Sequence, residues 1–198
     1  PRVRRQRQMC IRDRFLTQLR AALRASAYGP LQIMFPMVGS LEDIRKAKEY
    51  LNLAKEQLKE RKQQFDEQIR IGIMIEIPAI ALIADLAAEE VDFASIGSND
   101  LTQYLSAADR MNPEVAAYYK SDSTAMLRLL GFVFREFSKR EKEISVCGEM
   151  AGNPETAQLL VGLGARKLSM SSGNIAGVKA KLAECTLQEL TALAEKKL

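Results

Sequence analysis

Five short apolar runs, each followed by a helix-patterned stretch, constrain the fold of this 198-residue chain more than any other feature. They lie at 31–38 (LQIMFPMV), 71–77 (IGIMIEI), 91–96 (VDFASI), 144–147 (ISVC) and 167–170 (KLSM). Gly29-Pro30 and Gly39-Ser40 bound the first, and Pro78 stops the second. Runs that are apolar on both faces fit parallel strands covered by crossover helices. Helices are expected at 15–27, from Ser40 onward, and at 79–89, 101–108, 125–139, 154–162, 174–183 and 186–197. Ser40 with Asp43 makes a capping pattern, and Asn153 caps a helix whose first residue is Pro154. A doubly wound sheet and a TIM barrel both satisfy this alternation. A barrel takes eight units and typically about 250 residues, so five units predict an open sheet or a partial barrel.

Composition removes several kinds of chemistry. The sequence has no histidine, which excludes His-dependent triads, His–metal sites and a His general base within the chain. Residues 1–30 carry eight Arg against one Asp, while the remainder is slightly acidic. Arg20 and Arg24 alternate with Leu19, Ala22 and Leu23 as on a solvated helix face. No aromatic-interleaved basic patch follows, so nucleic acid is not an expected partner. No apolar stretch reaches the roughly 18 residues of a membrane span. Cys10, Cys147 and Cys185 form neither a disulfide framework nor a CxxC pair, which predicts a reducing, cytoplasmic setting. Residues 1–14 show no period and read as a tail, and Met9–Arg14 (MCIRDR) resembles the translation of a sequencing-library adapter. They are set apart as a non-family tail.

In parallel α/β folds, polar residues at the carboxyl ends of strands carry function. Glu76 ends an apolar run, Gly97-Ser98-Asn99-Asp100 follows the third run, and Cys147-Gly148-Glu149 follows the fourth. A buried Glu76 costs several kcal/mol unless it is paired or metal-bound. With Asp100 it would offer Mg²⁺ two hard oxygens, to be completed by water and a phosphate. The alternative is that Glu76 pairs with a Lys or Arg and Asp100 merely caps a helix. The backbone N–H groups of 97–100 open a helix and can cradle an anion. Arg110 is either a phosphate clamp or a surface partner of Asp109 or Glu114. Cys147 is either a small core hydrophobe or a thiol placed to act as a general acid. Met34, Met37 and Met74 read as core filler.

Four stretches in order, IMFPM at 33–37, GIMIEIPA at 72–79, VDFASIGSNDLTQYLSAADRMN at 91–112 and VCGEMAGNP at 146–154, resemble the C-terminal barrel of enzyme I. This is the phosphoenolpyruvate–protein phosphotransferase family of the bacterial sugar phosphotransferase system. Pyruvate phosphate dikinase and phosphoenolpyruvate synthase share the barrel and the NDLTQ and CGE elements, whereas Tyr104 before AADRMN, and GEMAG, fit enzyme I better. The resemblance implies a Mg²⁺-dependent, phosphoenolpyruvate-binding (β/α)8 barrel that dimerises through this domain. It also implies phosphoryl transfer to a histidine on a separate domain, then to a phosphocarrier protein, with release of pyruvate. Carried over by motif, Glu76 and Asp100 would hold Mg²⁺. Asn99, Asp100, Gly97, Ser98 and Arg110 would bind substrate, and Cys147 would be the acid that protonates the enolate carbon.

Ser98 stands where the family usually has Thr, and Asn153 where it usually has Asp. The family's first three strands, with its phosphate-gripping arginines, belong before residue 15. Residues 15–198 are therefore expected to be a truncated barrel domain of about five βα units, inactive alone. The alternatives are a dikinase or synthase barrel, or a dimerisation fragment without activity.

Overall fold

A computed structural model describes residues 2–198, with side chains from Arg12 onward. Helix α1 (Arg2–Ala25) leads through a 3-10 turn (Ser26–Tyr28) into β1 (Gln32–Phe35) and α2 (Leu41–Glu60). Strand β2 (Arg70–Ile75) precedes α3 (Pro78–Leu82) and α4 (Ala84–Glu90). Strand β3 (Phe93–Gly97) precedes α5 (Ser98–Ser106), a 3-10 turn (Pro113–Tyr118) and α6 (Thr124–Lys139). Strand β4 (Glu143–Cys147) precedes α7 (Glu149–Gly152) and α8 (Pro154–Gly162). Strand β5 (Leu168–Ser169) precedes α9 (Ser172–Ala183) and α10 (Leu187–Glu195).

The strands run β1-β2-β3-β4-β5 in chain order, and every neighbouring pair is parallel. A doubly wound sheet reverses its order at a switch point. This one never does, so the winding is that of a barrel, and five units form an unclosed arc of it.

The two faces of the sheet differ, which corrects the expectation of strands apolar on both sides. Ile33, Phe35, Ile73, Ile75, Ala94, Ile96 and Val146 point to the helices and belong to one core with Leu51, Leu58, Leu127, Leu130, Val133 and Leu160. The alternate positions Met34, Met74, Ser95, Ser145, Cys147 and Ser169 line a hollow of about 750 Å³ on the inner face. Met34 and Met37 are exposed, at 37% and 54%, so they do not fill the core.

Local chemistry explains the helix boundaries. Ser40 and Asp43 form the full capping box on α2. Asn153 accepts from the Glu155 and Thr156 amides ahead of Pro154, a role that Asn fills as well as the family's usual Asp. Two expectations are corrected. The first helix begins at Arg2, not Phe15, so residues 2–14 are helical; Arg and Gln are good helix formers even without an apolar period. The helix expected at 79–89 is broken at Ile83, whose ψ of 34° ends α3 before α4 starts. The side chains of Met9 and Cys10, and with them part of the adapter-like reading, lie outside the described residues.

One ion network joins α6 to α4. Glu136, with its side chain 10% exposed, meets Lys139 at 2.8 Å and Arg140 at 3.1 Å, and Arg140 reaches Glu89 at 3.1 Å. The hydrogen bond from Lys139, against burial and with help from Arg140, holds the Glu136 carboxyl below its ordinary range. A lowered carboxyl stabilises the fold above its unfolded titration range, and that contribution is lost as the pH falls below about 4. Melting temperatures of Glu136→Gln and the parent should therefore differ at pH 7 and draw together as the pH falls below about 4. Curves that stay parallel across that range would show that the network is neutral.

Candidate functional site

The register of the sheet brings the strand-end residues into one row. Ile75 pairs with Ile96, Gly97 with Cys147, and Cys147 with Ser169. Glu76, one residue past β2, therefore falls beside Gly97, with Cys147 on the other side. A Cβ on Gly97 would lie 3.0 Å from Glu76 Oε2, so the carboxylate rests across the space that this glycine leaves.

Glu76 is 4% exposed. Its Oε1 accepts from the Met37 backbone amide at 2.6 Å. Among the described residues it has no cationic partner. Met37 itself sits in the left-handed region, with φ of 54°. That conformation is uncommon outside glycine and costs of order 1 kcal/mol or more. Here it turns the amide toward the carboxylate.

Ser98, Asn99 and Asp100 form the first turn of α5 rather than a loop before it. The Ser98 hydroxyl donates to the Cys147 carbonyl at 2.7 Å, which a threonine hydroxyl could equally do. Asn99 Oδ1 accepts from the Glu149 amide at 3.1 Å, so this side chain ties the β3 end to the β4 end. Asp100 lies 3.7 Å from Arg110 Nη1, and both side chains are partly exposed. Arg110 thus faces the site rather than Asp109 or Glu114.

Cys147 is half-buried, at the meeting of the large hollow and a second one of about 400 Å³ that also touches Asn99 and Glu149. Its thiol donates to the Ile96 carbonyl at 3.3 Å, and the Ser95 hydroxyl approaches the sulfur at 3.7 Å. Cys147 is therefore not a closed core residue. Gly148 follows with φ of 106°, and a Cβ there would lie 2.5 Å from Ser98 Oγ. Cys185, by contrast, accepts from Gln158 Nε2 on the helical side, away from this row.

Three contributors have no sequence signal: Met37 through its backbone, Ser95 beside the sulfur, and Tyr119, whose hydroxyl donates to the Asn99 carbonyl at 3.1 Å. Among the described residues no group of three or more Cys, Asp or Glu clusters as a metal cage. The arrangement offers carboxylates, amides, a guanidinium and a thiol along one rim.

The family described as "PEP-utilising enzyme, PEP-binding domain" matches residues 3–187. The chain belongs to this family. The similarity extends through whole segments of named relatives. Multiphosphoryl transfer protein 2 of Escherichia coli is 47% identical over 175 residues, which is 88% of this chain and 21% of that protein. The phosphoenolpyruvate-protein phosphotransferase of Bacillus subtilis is 43% identical over 190 residues, 95% of this chain and 33% of that one. The corresponding Priestia megaterium protein is 44% identical over 180 residues, 91% of this chain and 31% of that one. The chain thus spans between a fifth and a third of the length of these relatives. A solved citrate lyase from Burkholderia xenovorans superposes with a TM-score of 0.60 at 16% identity. It is matched over 92% of this chain and 60% of its own, and it supports the barrel-type fold alone. No helix among the described residues is long and apolar enough to cross a membrane.

Proposed function

We propose that this chain is the phosphoenolpyruvate-binding part of a phosphoenolpyruvate–protein phosphotransferase. The observation that carries the reading is Glu76: a carboxylate 4% exposed, without a cationic partner among the described residues, at the strand-end rim of a family member. An uncompensated buried charge is costly, and a bound divalent cation removes that cost. The donor set fits Mg²⁺, which takes one or two carboxylates and keeps sites for water and substrate phosphate. Glu76 and Asp100 would hold it, and when bound it supplies Lewis-acid stabilisation of charge on the phosphoryl and enolate oxygens.

The chain's own residues do the rest. Arg110 meets the phosphoryl group, and the Gly97 and Ser98 amides with the Asn99 side chain orient the carboxylate. As the P–O bond breaks toward an acceptor histidine outside this chain, the electron pair passes to the enol oxygen. Cys147 then gives its proton to the methylene carbon, which leaves pyruvate and a thiolate. Transfer onward to a phosphocarrier protein, self-association of two copies and a cytoplasmic setting belong to the same reading.

Calorimetry tests it directly. Phosphoenolpyruvate should bind the chain with Mg²⁺ and lose that affinity in EDTA; binding that is indifferent to the metal would sink the ligand assignment. The acid role has its own readout. In D₂O with Mg²⁺, pyruvate methyl hydrogens should exchange in the presence of the parent chain. Cys147→Ser should slow that exchange by about a hundredfold or more, with phosphoenolpyruvate affinity held within about threefold. Equal loss of both would argue that Cys147 only shapes the site.

A further inference from the structure

Arg110 lies on the irregular segment between α5 and α6, which by itself has little to fix a guanidinium over the site. Helix α5 ends at Ala107 in the left-handed region, and the Arg110 amide is held by Gln103 Oε1 at 3.1 Å. Asn112 caps the following 3-10 turn through the Glu114 amide. These contacts shape the segment locally, and Met111 at 81% and Tyr118 at 70% exposure show how little of it is buried. Tyr119 reaches from this segment to the site backbone. It is half-buried, and its hydroxyl crosses twenty residues of sequence to the Asn99 carbonyl. Burial raises this phenol above its ordinary range, the Glu149 carboxylate adds to the rise, and Arg110 opposes it. The phenol thus shares one neighbourhood with Arg110, Asp100 and Glu149, and stays a donor at neutral pH.

We propose that Tyr119 is a positioning residue that ties the Arg110-bearing segment to the first turn of α5, holding the Arg110 guanidinium beside Asp100. The proposal deepens the phosphoenolpyruvate reading and rests on it for the ligand, although the geometry does not. Without the hydroxyl, the segment keeps its own turns but loses the hydrogen bond from its far end to the Asn99 carbonyl. Arg110 then samples positions away from the rim, and the ligand must order it on binding.

Tyr119→Phe removes the oxygen alone, and NMR of the 198-residue chain judges the outcome without any ligand. The Arg110 Nε–Hε resonance, assigned through Arg110→Lys, should be sharp and shifted in the parent. In Tyr119→Phe it should move toward the free-arginine position or broaden, while core amides and melting temperature stay put. An unmoved Arg110 resonance would overturn the proposal.

A titration with phosphoenolpyruvate and Mg²⁺ adds the functional arm. Tyr119→Phe should weaken binding about fivefold, the worth of one ordinary hydrogen bond. In an Arg110→Lys background it should have no further effect. The same loss in both backgrounds would overturn the proposal, since Tyr119 would then act other than through Arg110. A parent that binds no phosphoenolpyruvate would refute the ligand reading, with the Arg110 resonance still deciding the role of Tyr119.

Discussion

Gly162→Ala should lower the melting temperature of this chain by about 10 °C, the largest stability change expected from a single methyl group. Gly162 closes α8 where α10 crosses it. A Cβ there would lie 2.1 Å from the Leu190 carbonyl oxygen, 2.7 Å from its carbon and 3.0 Å from Ala194 Cβ. The obstacle is backbone, so no side-chain rotation relieves it and the two helices must separate. Leu159, Leu160, Leu190 and Ala194 are all buried at or near this contact. Overpacking of this kind costs about 3 kcal/mol, and in a chain of this size each kcal/mol moves the midpoint by roughly 2–4 °C. Gly131→Ala in α6 is the paired control. Its nearest neighbour is Leu163 Cδ2 at an ordinary 3.5 Å, so the gain in helix propensity of about 1 kcal/mol should appear as a small rise. Thermal unfolding of both variants would refute the packing argument if they shifted in the same direction.

Glu76→Gln should separate binding from stability. The amide keeps the shape of the side chain and can still accept from the Met37 amide through its oxygen. It cannot supply the negative charge that a divalent cation needs. Mg²⁺-dependent phosphoenolpyruvate affinity should therefore fall at least about a hundredfold, close to 2.7 kcal/mol. Melting of the unliganded protein should move the other way, because a buried carboxylate without a cationic partner is destabilising and the neutral amide is less so. Opposed signs are the mark of a residue kept for its ligand at some cost to the fold. Affinity within threefold of the parent would remove Glu76 from the metal site. A large fall in both quantities would make it a structural residue.

How much could be read beforehand depended on what kind of signal each feature leaves. The α2 capping box needs only Ser40 and Asp43 three residues apart, and the Asn153-Pro154 start of α8 is equally local. The strands announced themselves as apolar runs, but a run such as IGIMI does not say which face meets helices and which meets a hollow. That division follows from the order of the strands, which no local pattern encodes. For the rim, Glu76, the 97–100 turn and Cys147 were legible because parallel winding sends all carboxyl ends to one side, and a polar residue there interrupts an apolar run. The Met37 amide was not, since a backbone donor has no residue-type signature and its left-handed φ belongs to a methionine. Tyr119 was hidden for a different reason: its bond to Asn99 depends on the path of an irregular segment. The pairing of Arg110 with Asp100, rather than Asp109 or Glu114, was similarly undecidable from spacing.

The sequential order of the strands also determines how far damage spreads. Each support at the rim runs between adjacent units: Met37 after β1 holds Glu76 after β2, Gly97 makes room for that carboxylate, and Ser98 and Asn99 after β3 brace Cys147, the last residue of β4, and Glu149 beyond it. A fault in one unit is therefore felt by its neighbours and then fades, instead of reaching every ligand contact at once.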